Sequence, residues 1–207
     1  MSVTLNASTW MHDNMNIIGN FNLRNLCMLG THDSGMCKNV DGTIAPDCAV
    51  ITQRKNILEQ LQLGVRYFDI RPIIGGGKYH TGHYSNTSVG WLGGRGQSIE
   101  DIISEINFFC QNTAELLVLS LSHAYDTDNG YKNFNQNQWN GLFNELSKLK
   151  HLYIIGNNSN EDLTIIKLNK ILIGKPSIII VVRENTSLGD YACKGFYNAS
   201  QYSLYDS

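Results

Sequence analysis

The chain has 207 residues, 42% hydrophobic and 16% charged, with a formal net charge of −2. That length and apolar content fit one packed domain over 1–207 and exclude disorder as the main state. The near-neutral balance argues against a nucleic-acid protein, because such domains are usually basic, and no apolar run approaches the roughly 20 residues needed for a transmembrane helix.

The N-terminal MSVTLNASTWMHDN carries no basic or apolar leader region, so no signal peptide is visible and the compartment stays open. Residues 25–30 (NLCMLG) read as a buried strand running into a polar turn. Over 52–63, Ile57, Leu58 and Leu61 share a helical face, and Gly64 suits a C-terminal stop. Residues 65–71 (VRYFDIR) read as a strand that Pro72 ends. The clearest helix is 98–110, capped by Ser98, with Ile99, Ile102, Ile103, Ile106 and Phe109 at helical spacing. A strand over 115–122, a helix over 136–149 and a short strand over 151–155 follow. Residues 177–183 (SIIIVVR) read as a strand buried on both faces, as in a parallel sheet. Five cysteines contain no CxxC pair, which argues against structural zinc; only Cys37 and Cys48 are placed to close a small loop, and free thiols are the weightier reading.

Strands alternating with helices predict an α/β fold with a parallel sheet. Polar residues collect at the C-terminal ends of the strands: Thr31-His32-Asp33, then Asp69 and Arg71, then His123, then Arg183-Glu184. An α/β barrel places its active site at that end. GTHDSG sets His32 and Asp33 in a glycine-bounded turn, FDIRP puts Asp69 and Arg71 on one face of a strand, and TGHYS puts His83 in another glycine-containing turn. His80, just before it, shares its face if the segment is extended. Paired histidines supply concerted acid–base chemistry near neutral pH, and an arginine offers a fixed fork for phosphate. The reading is phosphodiester cleavage by an internal hydroxyl. Metal binding is the alternative, for which Arg71 is a poor neighbour.

LGTHDSG, QLQLGVRYFDIRP, YHTGHY and ELLVLSLSH, in this order and spacing, resemble the phosphatidylinositol-specific phospholipase C family, in its bacterial and fungal metal-independent branch. The resemblance runs from about residue 23 to at least 185. It implies a distorted or incomplete (β/α)8 barrel and cleavage of phosphatidylinositol, or of a glycosylated anchor, to diacylglycerol and inositol 1,2-cyclic phosphate. It further implies no cofactor or metal, a phospholipid substrate at a membrane surface, and a monomer.

On that resemblance His32 is similar to the general base, Asp33 to the carboxylate supporting the acid and the arginine, Arg71 to the arginine that replaces calcium, and His83 to the general acid. His80 is the competing acid. Asp69 is expected to orient the site. Arg183, Asp206 and His123 are expected to contact the head group. Ser122 stands near where calcium-dependent members carry an acidic ligand. Trp10, Trp91 and Tyr84 are candidates for membrane contact, with core packing the weightier reading for each. A full barrel takes roughly 250 residues. The late strands are therefore expected to be missing, with the strand ending near Arg183 and the one beside Gly30 left as open edges, and a longer chain is expected to be more stable and more active. Two other functions compete: a non-catalytic inositol-phosphate or lipid-binding module, and a phosphodiesterase acting on another phospholipid.

Overall fold

A computed structural model of the chain describes residues 6–155 and 161–203. Asp206 lies outside the described residues. Three helices of more than one turn have local causes in the sequence. In α1 (Ile57–Gln62), Asn56 accepts the Glu59 N–H at 2.9 Å while the Glu59 carboxylate accepts the Asn56 N–H at 3.1 Å, a reciprocal cap. Gly64, at φ +96°, ends it. This helix starts later than the expected 52, because the N–H groups of Thr52 and Gln53 donate instead to the Met36 carbonyl at 3.1 and 3.2 Å. In α2 (Ile99–Phe109), Ser98 accepts from the Asp101 N–H and all five predicted apolar positions are buried. In α3 (Gln136–Leu146), Asn135 and Gln138 cap reciprocally, and Trp139, Leu142, Phe143 and Leu146 are buried.

The strands form two sheets. The first is parallel: β1 (Gly30–Thr31), β3 (Tyr67–Ile70), β7 (Leu116–Leu121), β10 (Ser177–Val182) and β11 (Phe196–Asn198), hydrogen-bonded in the order β1-β3-β7-β10-β11. This is an open, incomplete α/β barrel; β1 and β11 are its edges among the described residues. The second sheet, in the order β2-β6-β5-β4-β8-β9, contains β2 (Asp41–Gly42), β4 (Pro72–Gly75), β5 (Lys78–Thr87), β6 (Gly90–Ser98), β8 (Tyr125–Asp126) and β9 (Lys132–Asn133). Its pairs are antiparallel apart from β4 with β8.

The period of two along a strand divides the core. Leu117, Leu119 and Leu121 with Ile178, Ile180 and Val182 pack toward α1, α2 and α3. Leu116, Val118, Ile179 and Val181 face the other way, onto Met11, Leu23, Leu163, Leu168, Tyr197 and Tyr202. Both faces of β7 and β10 are therefore buried, as their continuous apolar runs require.

Several expectations are corrected. Residues 25–29 are not a strand; only Gly30–Thr31 pairs, and Leu29 is 57% exposed beside the sheet edge. Pro72 ends β3 but opens β4, a position that needs no ladder N–H. TGHYS is no turn: it lies inside the ten-residue strand β5. Residues 151–155 contribute only isolated bridges, Leu152 to Ile178 and Ile154 to Lys194. The strand ending near Arg183 is not an edge, because β11 lies beside it; among the described residues the strand at Gly30 has the single neighbour β3. Cys37 and Cys48 are free thiols, as are the other three cysteines.

A buried ion pair ties the first described residues to the base of the parallel sheet. The Arg66 Nε lies 2.8 Å from Glu115 Oε2, and both side chains are fully buried. Arg66 also donates to the carbonyls of Leu61, Val65, Ala7 and Ser8, while Glu115 accepts from the Met11 and His12 N–H groups. Burial pushes the Glu115 carboxyl up and the Arg66 guanidinium down; the pairing opposes both. Arg66→Met leaves a buried carboxylate without its counter-ion, and such a loss costs about 3–5 kcal/mol. Urea unfolding of the variant is expected to show an unfolding free energy lowered by that amount and hence a lower midpoint; an unchanged midpoint contradicts this role for the pair.

Candidate active site

The predicted acid–base residues meet at the C-terminal end of the parallel strands. His32 and Asp33 follow β1, Asp69 is the penultimate residue of β3 and Arg71 follows the strand, and His83 is delivered by β5 of the second sheet. Glycines make that delivery possible. A Cβ on Gly35 would lie 2.4 Å from Thr81 Cγ2, and one on Gly96 would lie 2.5 Å from the Gly35 carbonyl oxygen. Without them the turn 32–35 could not press against the hairpin that carries His83.

Asp33 is the centre. Its side chain is fully buried and its backbone is left-handed at φ +45°, a conformation that aspartate tolerates better than most residues. Its Oδ2 is hydrogen-bonded to His83 Nδ1 and lies 3.4 Å from His32 Nε2; its Oδ1 lies 2.6 Å from Arg71 Nε. A carboxylate this buried is stable only with such partners. Asp69 works from the other side. Its Oδ2 accepts the Asp33 N–H at 3.1 Å and lies 3.1 Å from His32 Nδ1. Arg71 Nη2 lies 3.3 Å from that same nitrogen. The two imidazole rings are edge-on with centroids 6.4 Å apart.

Surrounding groups pin the turn. Gln60 of α1 donates to the Ser34 carbonyl at 2.8 Å and accepts from Thr31 Oγ1 at 2.7 Å. Thr52 and Gln53 donate to the carbonyls of Asp33 and His32. Sequence reasoning missed all three, because each acts through a backbone group far away in the chain. The only trace is a buried Gln60 one position from the apolar face of α1.

The predicted head-group residues divide. Arg183 sits on the same rim, its Nε donating to Ser120 Oγ at 2.8 Å and its Nη2 to the Tyr67 hydroxyl at 3.0 Å. It lines a cavity of about 510 Å³ with Tyr67, Met28 and Tyr202. His123 lies beside Ser122, its Nδ1 2.9 Å from the Ser122 hydroxyl. His80 stands apart from the cluster: its surroundings are Arg95, Asp101 and Lys78. The aromatic candidates are all partly buried: Trp10 donates to the Gly64 carbonyl, and Trp91 stacks on Tyr131, whose ring also meets Tyr84.

His32, Asp33 and His83 each offer an atom within 4.8 Å of the others, a spacing compatible with a metal ion. Arg71 bears on that possibility: a dication held by Asp33 would share the carboxylate with a guanidinium 2.6 Å away. Charge repulsion makes this donor set a poor cation site and a good site for an anion bridging the two imidazoles and Arg71.

No protein-family model and no curated protein sequence matches the chain. Solved structures do. A Staphylococcus aureus phosphatidylinositol-specific phospholipase C matches with TM-score 0.60 at 20% identity, covering 100% of this chain and 62% of that one. The enzyme of the same description from Listeria monocytogenes matches with TM-score 0.57 at 19% identity, covering 87% of this chain and 58% of that one. The chain has the phosphatidylinositol-specific phospholipase C fold. It spans about three fifths of the length of these structures. At such identities the likeness establishes this fold, and the chemistry rests on the residues gathered at its C-terminal rim.

His80 yields a test independent of activity. Burial, aided by Arg95, holds its pKa below that of an ordinary imidazole. A histidine with a depressed folded pKa gives stability that is present above the unfolded value, about 6.5, and lost as pH falls toward the folded value. The melting temperature is therefore expected to fall from neutral pH to about pH 5, and to fall less in His80→Gln. Parallel curves for the two proteins contradict this.

Proposed function

We propose that this chain is a phosphatidylinositol-specific phospholipase C acting at a membrane surface without a metal, with residues 1–207 contributing one catalytic domain. The observation that carries the reading is the convergence of two imidazoles and a guanidinium on buried Asp33. His32, whose Nδ1 lies 3.1 Å from Asp69 Oδ2 and 3.3 Å from Arg71 Nη2, is assigned as the base for the inositol 2-hydroxyl. The oxygen so activated attacks the phosphorus. Arg71, held by Asp33, stabilises the charge that grows on the phosphoryl oxygens. His83, fixed through Nδ1 by Asp33, gives its Nε2 proton to the departing diacylglycerol oxygen. The products are diacylglycerol and inositol 1,2-cyclic phosphate. Arg183 and His123, on the same rim, are assigned to the inositol hydroxyls.

Vesicles of phosphatidylinositol incubated with the protein in EDTA are expected to yield the cyclic phosphate, followed by phosphorus NMR. Arg71→Ala is expected to lower turnover about 100- to 1000-fold, the usual loss for a preorganised electrostatic donor. His80→Gln is expected to stay within a few-fold of wild type, and His83→Gln is not. Turnover that vanishes in EDTA and returns with calcium would overturn the metal-independent assignment.

A further inference from the structure

Asp69 has a second oxygen that the reaction scheme above leaves unused. Its Oδ1 accepts from the Ser122 hydroxyl at 3.3 Å, and that hydroxyl lies 2.9 Å from His123 Nδ1. From His123 to Asp69 the chemistry of these groups allows one polarity. An ionised carboxylate only accepts, so Ser122 must spend its single proton on Asp69. Its oxygen is then left to accept, and His123 must carry its proton on Nδ1. At the far end, Asp69 Oδ2 lies 3.1 Å from His32 Nδ1, and Arg71 Nη2, which can only donate, lies 3.3 Å from the same nitrogen, so the chain reaches His32 only with a proton on Nδ1 shared with Asp69. The sequence is His123 Nδ1–H to Ser122 O–H to Asp69 to His32 Nδ1–H.

The outer end of this chain is held against a backbone cost. His123 has φ +53°, an uncommon conformation for a residue with a side chain. Such strain persists only where surrounding contacts over-determine it. Here the Glu184 carboxylate, from the loop after β10, accepts the His123 N–H at 2.8 Å while Ser122 receives the ring. Ser122 itself is nearly buried at the end of β7, its N–H donating to the Ile70 carbonyl at 3.1 Å. The neighbouring serine on the same face, Ser120, serves Arg183 instead.

We infer that Ser122 and His123 are positioning residues for His32, acting through Asp69, with Glu184 fixing the outer histidine. The inference rests on the proposed phospholipase reading for its kinetic consequence, and on the hydrogen bonds to Ser122 and the 3.1 Å approach of Asp69 to His32 for its tautomers. By this chain, groups on β7 and after β10 control which nitrogen of the base is free.

Two readouts separate the inference from the reading beneath it. Long-range proton–nitrogen NMR of the imidazoles is expected to find both His32 and His123 protonated on Nδ1 at neutral pH. Ser122→Ala is expected to return both toward the ordinary mixture favouring Nε2–H, and Ser122→Thr, which keeps the hydroxyl, to leave them unchanged. In turnover of phosphatidylinositol, Ser122→Ala is expected to lower kcat about 10- to 100-fold with KM within twofold, the signature of a misplaced reacting group. Ser122→Thr, which keeps the hydroxyl, is expected to keep most of the rate. A His123 protonated on Nε2, or His32 signals that ignore Ser122→Ala, overturns the inference whether or not the protein turns over lipid. Absence of wild-type turnover with the expected tautomers counts against the phospholipase reading and leaves the chain of hydrogen bonds established.

Discussion

Burying the charge of Asp33 is the constraint on which the site depends. A carboxylate with no exposed surface is tolerated only when cations and donors surround it. His83 and Arg71 meet that need, and His32 approaches the same carboxylate from the solvent side. The compensation that makes the residue stable is the arrangement that the proposed phosphoryl chemistry would use. One carboxylate engages both Nδ1 of His83 and Nε of Arg71. On the proposed reading, stability and chemical competence come from the same contacts.

Three independent pieces of chain must meet for this to happen. The turn after β1 supplies His32 and Asp33, the parallel strand β3 supplies Asp69 and Arg71, and the antiparallel hairpin supplies His83. The parallel sheet alone cannot bring them together, because His83 does not lie at the end of one of its strands. Side-chain-free packing at Gly35 and Gly96 closes the gap between the turn and the hairpin. The buried Arg66–Glu115 pair anchors the opposite, N-terminal end of the same sheet. Polarity is thus divided along the strands: a structural ion pair below, a chemical one above, and continuous apolar burial between them.

The elements legible in the sequence are those whose cause is local. Ser98 followed by five apolar residues at helical spacing specifies α2, and unbroken apolar runs specify β7 and β10. The residues at the candidate site were also legible, since His, Asp and Arg recur at strand ends. The second sheet was not. TGHYS, with its glycine, reads as a turn, and GWLGGRGQS, with four glycines and no clean alternation, gives no strand signal; pairing with each other and packing on the His32 turn make them strands. Residues 25–29 failed the other way: their apolar side chains look like a strand, yet at the sheet edge only the end of the segment finds a ladder partner. The three-residue β11 is too short to carry a periodic signal. Long-range polar contacts, from Gln60 to the Ser34 carbonyl or from Ser122 to Asp69, leave no trace in spacing, because either partner alone is an ordinary polar residue.

The central claim is that Asp33 makes Arg71 and His83 one unit. A double-mutant cycle in turnover of phosphatidylinositol addresses it directly, with Asp33→Asn, Arg71→Ala and the double variant measured under identical conditions. Groups that act as a unit are strongly non-additive: removing one costs about as much as removing both. The predicted result is a double variant within a few-fold of the slower single variant. Losses that multiply, each substitution costing the same whether or not the other is present, would show that Asp33 and Arg71 contribute separately and would contradict the account.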